Sequence, residues 1–95
     1  MNEEYQIILL SSWLGSWESV NGHPDVYIYQ DYDGEYYLLA CYYDKDYERA
    51  GFTRYKIDSD EDGLYIGVGM KRYRLSEEKC PYGLYIGEWG SYMKN

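Results

Sequence analysis

Residues 25–43 read Asp25-Val26-Tyr27-Ile28-Tyr29-Gln30, then Asp31-Tyr32-Asp33-Gly34-Glu35, then Tyr36-Tyr37-Leu38-Leu39-Ala40-Cys41-Tyr42-Tyr43. In the first block the side chains alternate at every second position, the period of a half-buried β-strand. Tyr and β-branched residues suit such a pleated surface. Tyr32-Asp33-Gly34-Glu35 is tight-hairpin chemistry. The third block is nearly all apolar, so either both of its faces are covered or it carries an exposed tyrosine stripe. An antiparallel strand pair is therefore the kernel of the fold.

The same reading extends outward. Residues 14–20 form a strand, and Asn21-Gly22-His23-Pro24 is a turn. Residues 44–51 read as a charged loop. Phe52–Ile57 is a strand with Tyr55 and Ile57 inward and Arg54 and Lys56 outward. Asp58–Gly63 is an acidic turn, and Leu64–Val68 and Lys71–Leu75 are strands. Residues 76–82 form a loop, Gly83–Trp89 a strand, and Tyr92-Met93 start a short eighth strand. Residues 3–11 suit a short helix with Glu3 and Glu4 in its first turn and Tyr5, Ile8 and Leu9 as its apolar side, although Ile7-Ile8 equally suit a strand. Gly-Leu-Tyr-Ile-Gly occurs at 63–67 and at 83–87. Two copies are too few for a solenoid, and a common local cause, a glycine at each strand boundary, accounts for both.

These elements predict an all-β, antiparallel meander of seven or eight strands that closes or nearly closes. Residues 1–95 make one domain, with 1–13 an N-terminal segment and 14–93 the barrel. The expected core is Leu14, Trp17, Val26, Ile28, Leu38, Ala40, Ile57, Leu64, Ile66, Tyr73, Leu75, Leu84, Ile86 and Trp89.

Fifteen tyrosines take the place of much of the usual Leu, Val and Ile. A Tyr ring can be buried while its hydroxyl reaches water, which suits a thin-walled barrel. Nine basic and 17 acidic residues leave a net charge of −8. That charge opposes nucleic-acid binding and docking on anionic membranes, and it favours solubility or a basic partner. The acidic N-terminus and the short apolar run Ile7-Ile8-Leu9-Leu10 match neither a secretory signal nor a membrane span, so a cytoplasmic location is expected. Cys41 reads as a small core residue and Cys80 as a loop thiol without an electropositive setting; neither suggests a disulfide framework.

Few residues suggest chemistry. Asp58, Asp60 and Asp62 before Gly63 match the first half of a calcium loop, but Gly69 stands where the bidentate Glu belongs. A solvated acidic turn explains them, and no metal or cofactor is expected. His23 is the single histidine, with only Asp25 nearby, and reads as a turn residue. No serine sits in a nucleophile-elbow context, and Gly67-x-Gly69 precedes no helix. No enzymatic activity is expected. Trp13, Trp17 and Trp89 are read as core, with an aromatic ligand cleft as the alternative.

Leu14-Gly15-Ser16-Trp17-Glu18 resembles the Gly-x-Trp opening strand of lipocalin-like barrels, in which the Trp closes one barrel end. The longer stretch from Gly15 to Tyr29 resembles an uncharacterised family of small proteins from Bacteroides and relatives, associated with conjugative elements (domain-of-unknown-function family 3876). The later acidic turn before Gly63-Leu64-Tyr65-Ile66, the Arg-containing strand at 70–75 and the closing strand near 84–92 extend the resemblance to about residues 14–93. It departs at the Tyr-rich segment 36–48, where more basic residues would be expected. The resemblance implies a lipocalin-like barrel or half-barrel and no particular activity.

Three functional expectations follow. The first is a non-enzymatic accessory module that binds a protein partner, or a second copy, through Tyr27, Tyr29, Tyr37 and Tyr43, since Tyr offers rigid amphipathic area. The second, from the barrel resemblance, is a small apolar or aromatic ligand in the barrel mouth, which requires a cavity of roughly 300 Å³ or more. The third is an acidic decoy imitating DNA phosphates, which requires carboxylates aligned along one elongated face.

Overall fold

The structure, a computed structural model, describes residues 3–77 and 83–95. Helix α1 (Glu3–Ser12) leads into nine strands: β1 (Gly15–Ser19), β2 (Asp25–Gln30), β3 (Tyr36–Asp44), β4 (Arg49–Lys56), β5 (Asp58–Asp60), β6 (Gly63–Val68), β7 (Lys71–Glu77), β8 (Gly83–Ile86) and β9 (Gly90–Lys94). A 3-10 turn at Gly87–Trp89 separates the last two. All pair antiparallel in one sheet of order β4-β3-β2-β1-β9-β8-β7-β6-β5. Two local meanders are thus joined where β1 pairs β9, with Trp17 opposite Lys94.

β4 and β5 are one stretch of chain bent at Ile57. Before the bend it pairs with β3, and after it with β6. The Ile57 side chain is buried, and its N–H still donates to the Tyr36 carbonyl at 2.9 Å. The sheet therefore nearly closes at the bend, while β4 from Arg49 towards Tyr55 keeps an open edge.

The alternation read from the sequence places the core. Val26 and Ile28 face inward opposite Ala40 and Leu38, and all four are buried. Ile66, Leu84 and Ile86 meet them from the other meander, together with Leu64, Leu75 and Trp89. Tyr55 and Tyr73 set their rings edge-on to Trp89, at centroid distances of 5.8 and 5.5 Å. Tyr92 is fully buried, and its hydroxyl donates to the Pro24 carbonyl at 2.8 Å, which supplies the partner a buried phenol requires.

Several expectations change. The helix forms, but it docks through Leu9, Leu10 and Trp13, while Tyr5, Ile7 and Ile8 stay exposed. The Trp13 N–H caps the helix on the Leu9 and Leu10 carbonyls, and the Trp17 Nε1–H donates to the Trp13 carbonyl at 2.8 Å. That bond turns Trp13 into the core and leaves Leu14 outside, 38% exposed, so Leu14 is not a core residue. Tyr73 is half-buried at the core's border. The expected charged loop 44–51 shrinks to a turn, because β4 begins at Arg49 and not at Phe52. The expected acidic turn 58–63 opens with a short strand, because Arg72 and Arg74 across the sheet take up the charge of Asp60. β7 runs on to Glu77, and the expected strand 83–89 stops at Ile86, where Gly87 turns the chain. In the repeated Gly-Leu-Tyr-Ile-Gly segments Leu and Ile are buried on both strands while Tyr65 and Tyr85 face out, as a common local cause requires. Cys80 lies outside the described residues.

Candidate interaction surface

Odd-numbered residues of β2 and β3 and even-numbered residues of β4 share the outer face of one end of the sheet. The hairpin register sets Tyr29 directly opposite Tyr37, and β3 sets Leu39 opposite Arg54 and Cys41 opposite Phe52. Tyr27 and Tyr29 stack at a centroid distance of 6.1 Å, and Tyr29 and Tyr37 at 5.8 Å. The Arg54 guanidinium caps this ladder, its carbon 3.7 Å from the centre of the Tyr37 ring. Three aromatic rings and a cation form one continuous strip across β2, β3 and β4, with the cation over the ring's negative face.

The β2–β3 turn fixes the strip's end. Asp31 and Gly34 close the turn through the Asp31 N–H to Glu35 carbonyl and Gly34 N–H to Asp31 carbonyl bonds, both 2.9 Å. The Asp31 carboxylate then reaches Arg54 at 2.7 Å, which orients the guanidinium over Tyr37. The Tyr37 hydroxyl donates to Asp33 at 2.6 Å. That bond lowers the Asp33 carboxyl and raises the Tyr37 phenol from their ordinary values, so the phenol stays protonated and the pair fixed.

Towards its far end the strip becomes a projecting arm. β2 pairing stops at Asp25 opposite Cys41, whereas β3 and β4 continue together to Asp44 and Arg49. Residues 42–44 and 49–51 are thus a two-stranded ribbon without a third strand. Its aromatic residues are exposed on both faces, Tyr43 on the outer face at 65% and Tyr42 on the other, with Tyr47 in the turn beyond them; Phe52, 69% exposed, lies on the outer face just before the ribbon, opposite Cys41. Two-stranded ribbons are marginal in water by themselves, and contiguous exposed aromatic area is characteristic of interaction sites.

Of the four tyrosines singled out from the sequence, Tyr27, Tyr29 and Tyr37 come together in the ladder. Tyr27 is 44% exposed, and Tyr29 and Tyr37 are half-buried. Tyr43 shares their face but lies further along β3, beyond Leu39 and Cys41. Sequence reading missed Phe52 and the capping role of Arg54. The outward setting of Arg54 was legible, and the β3–β4 register was the additional information required. Cys41 is half-buried on this face, and burial, reinforced by Asp25, raises its thiol, which disfavours the thiolate.

The other expected features resolve as follows. Asp60 is gripped by Arg72 at 2.5 Å and by Arg74, with the Asp62 N–H donating to it at 2.9 Å. Arg74 above all holds the Asp60 carboxyl well below the usual carboxylate range. Asp58 faces Lys56 at 3.5 Å. The would-be calcium ligands are thus engaged by the protein's own cations, and among the described residues no group of three or more His, Cys, Asp or Glu is set to hold a metal. His23 is an exposed turn residue whose N–H donates to Ser19 Oγ at 3.0 Å. Trp13, Trp17 and Trp89 are buried, so they line no aromatic cleft. Leu38, Ala40, Ile66, Leu84 and Ile86 are fully buried between the two meanders. A surface cleft of about 270 Å³ lies between α1 and the bend, lined by Ile7, Leu10, Tyr36, Ile57 and Leu64 among others. Among the described residues no helix is long and apolar enough to cross a membrane.

No curated protein and no solved structure matches this chain. The family model described as "Domain of unknown function, B. Theta Gene description (DUF3876)" matches residues 1–94, and the chain belongs to that family.

Proposed function

We propose that this chain is a non-enzymatic, cytoplasmic protein-interaction module that engages a partner through the outer face of β2, β3 and β4. The observation that carries this reading is the stacked strip Tyr27–Tyr29–Tyr37 capped by Arg54, continuing into the exposed Tyr43 and Phe52. Tyr and Arg are the residues most often found at the energetic centres of interfaces. The rings of Tyr27, Tyr29 and Tyr37 are already stacked, and the Tyr37 hydroxyl and the Arg54 guanidinium are already held, so binding would cost little side-chain entropy. The expected association of the family with conjugative elements directs the search for a partner to such a host.

The competing readings draw less support. A ligand in the barrel mouth needs an interior cavity, and the axis is occupied by Leu38, Ala40, Ile66, Leu84 and Ile86, all fully buried. The acidic decoy needs one aligned face. Asp31, Asp33 and Glu35 lie at one end of β3 and Asp44, Asp46 and Glu48 at the other, while Asp31 and Asp60 are committed to arginines.

Site-specific photo-cross-linking in the host tests the reading. A photoreactive residue in place of Tyr27 or Tyr43 is expected to trap the same discrete foreign protein. The same residue in place of Tyr85, exposed on β8 across the barrel, is expected to trap none. Equal trapping from Tyr85, or no foreign adduct at Tyr27 and Tyr43, sinks the proposal.

A further inference from the structure

The aromatic ladder ends differently on its two sides. At one end the chain supplies its own cation. The Arg54 guanidinium carbon lies 3.7 Å from the centre of the Tyr37 ring, and the Asp31 carboxylate holds the group there at 2.7 Å. At the other end Tyr29 stacks on one face of the Tyr27 ring, and Asp25 stands two residues back along β2 on the same outer face. The β1–β2 register sets Trp17 opposite Val26, and one residue further it brings Glu18 opposite Asp25. Two carboxylates thus flank the free side of a ring that is 44% exposed. Among the described residues no lysine or arginine pairs with either carboxylate, and no cation lies over Tyr27. Asp25 accepts the Ser19 N–H at 2.9 Å through one oxygen, a task that an amide oxygen performs as well. Like charges set opposite one another in a sheet are unfavourable, so the Glu18–Asp25 pair costs the free protein stability.

We propose that an arginine in a basic segment of a partner protein completes this end, its guanidinium stacked on the free face of Tyr27 and paired with Asp25 and Glu18. The inference rests on the partner-binding reading and names the chemistry of the partner. Arg54 on Tyr37 and Asp31 is the same arrangement built from the chain's own residues, with one ring and one carboxylate holding one guanidinium. At Tyr27 the ring and the carboxylates are in place and the cation has to come from outside. A guanidinium suits the position better than an ammonium, because it is planar, stacks on an aromatic face, is weakly hydrated and bonds two carboxylate oxygens at once. A cation between Glu18 and Asp25 also relieves their mutual repulsion. The surroundings offer apolar contact to the neighbouring residues of the segment. Asp25 is opposite Cys41 and Cys41 opposite Phe52, which places Phe52 roughly 10 Å away across two strand spacings. On the other side Glu18 is opposite Met93, which is 41% exposed. The net charge of −8 draws a basic segment towards this face.

Titration of the isotope-labelled protein with the blocked tripeptide Gly-Arg-Gly, followed through amide chemical shifts, tests the site. Saturable shifts are expected at Glu18, Asp25, Tyr27 and Cys41. None are expected with the citrulline tripeptide, which keeps the shape and lacks the charge. Glu18→Gln with Asp25→Asn is expected to weaken binding at least about threefold. Asp46→Asn with Glu61→Gln removes the same charge from two exposed turns and is expected to leave binding within about twofold. Tyr27→Leu keeps both carboxylates and is expected to lose about two- to fivefold. Glu18→Gln alone is expected to keep or raise Tm, as relief of a like-charge contact requires, and a clear fall would assign the carboxylate to the fold and overturn the proposal. Absence of saturable shifts, shifts spread over the acidic turns, equal shifts with the citrulline tripeptide, or affinity indifferent to the paired Glu18 and Asp25 variant also overturn it. The two readings fail separately. A foreign protein trapped by a photoreactive residue in place of Tyr43 equally well with and without Glu18→Gln and Asp25→Asn ends the arginine and leaves the partner-binding reading standing.

Discussion

Replacing Trp13 by Ala asks whether α1 belongs to the core or merely lies on it. The Trp13 ring is 2% exposed, and its backbone carbonyl accepts the Trp17 indole N–H. Trp13→Ala removes the ring and keeps that carbonyl. A Trp side chain buries about 150–250 Å², which at about 25 cal/mol per Å² corresponds to about 4–6 kcal/mol. Measured truncations of buried Trp fall near 3–5 kcal/mol because the surroundings relax in part. A domain of this size has a total stability of about 5–14 kcal/mol, so the variant should survive at the edge of folding. The expected fall in Tm is on the order of 15–30 °C. In urea, with a slope of about 1–3 kcal/mol per molar, the midpoint should drop by about 2 M. Calorimetry and far-UV circular dichroism are the assays, since tryptophan fluorescence is itself altered by the change. Leu14→Ala, one residue on, is the control and should lose less than about 1 kcal/mol. A Trp13→Ala loss below about 1 kcal/mol, or an equal loss for Leu14→Ala, would refute the assignment of Trp13 to the core.

Four further expectations test the geometry. Tyr92→Phe leaves the Pro24 carbonyl without its 2.8 Å partner and should cost about 1–2 kcal/mol in urea unfolding, whereas no loss would mean that water replaces the bond. Gly87→Ala sets a Cβ 2.7 Å from the Cβ of Tyr73 at a φ of +37°, so it should destabilise by about 1–3 kcal/mol and weaken the near-UV signal of the Tyr73–Trp89 pair; an unchanged spectrum and midpoint would contradict the described turn. The depressed Asp60 carboxyl, held chiefly by Arg74, contributes stability that is present above the ordinary Asp value of about 3.9 and is lost as pH falls through its lowered folded-state value, so Asp60→Asn should flatten the acid limb of the stability curve. Millimolar calcium should leave the melting temperature unchanged, because Asp60 is already bound by two arginines, and a clear rise would show that the cluster opens to admit the ion.

What was legible in the sequence is what local alternation determines. Val26, Ile28, Leu38 and Ala40 point inward because the pleat has a period of two, and the same parity puts Tyr27, Tyr29 and Tyr37 on one outer face. The side of α1 that docks was not legible. Tyr5, Ile7, Ile8, Leu9 and Leu10 surround the helix with apolar residues, so its orientation is set by the Trp13–Trp17 contact and not by its own pattern. Asp58–Asp60 looked like a turn because its partners, Arg72 and Arg74, arrive two strands later. The sequence places Phe52 at the start of a strand, whereas the strand begins at Arg49 and Phe52 lies inside it, exposed opposite Cys41. Each miss concerns a residue whose environment comes from distant sequence, as tertiary context overrides local preference.

The join between β1 and β9 has a consequence for how the chain acquires its fold during translation. β1 to β4 are nearest neighbours in sequence, as are β5 to β9, so each set of hairpins can form as it emerges from the ribosome. Trp17 cannot meet Lys94 until residue 94 has been made, 77 residues later. Until then the first four strands expose two unpaired edges, β1 and β4, to the crowded environment of nascent chains. Lasting protection comes only when β9 arrives and closes the β1 side. The β4 side is then the single edge of that half still open to a neighbour, and chains growing side by side on one messenger would meet there first.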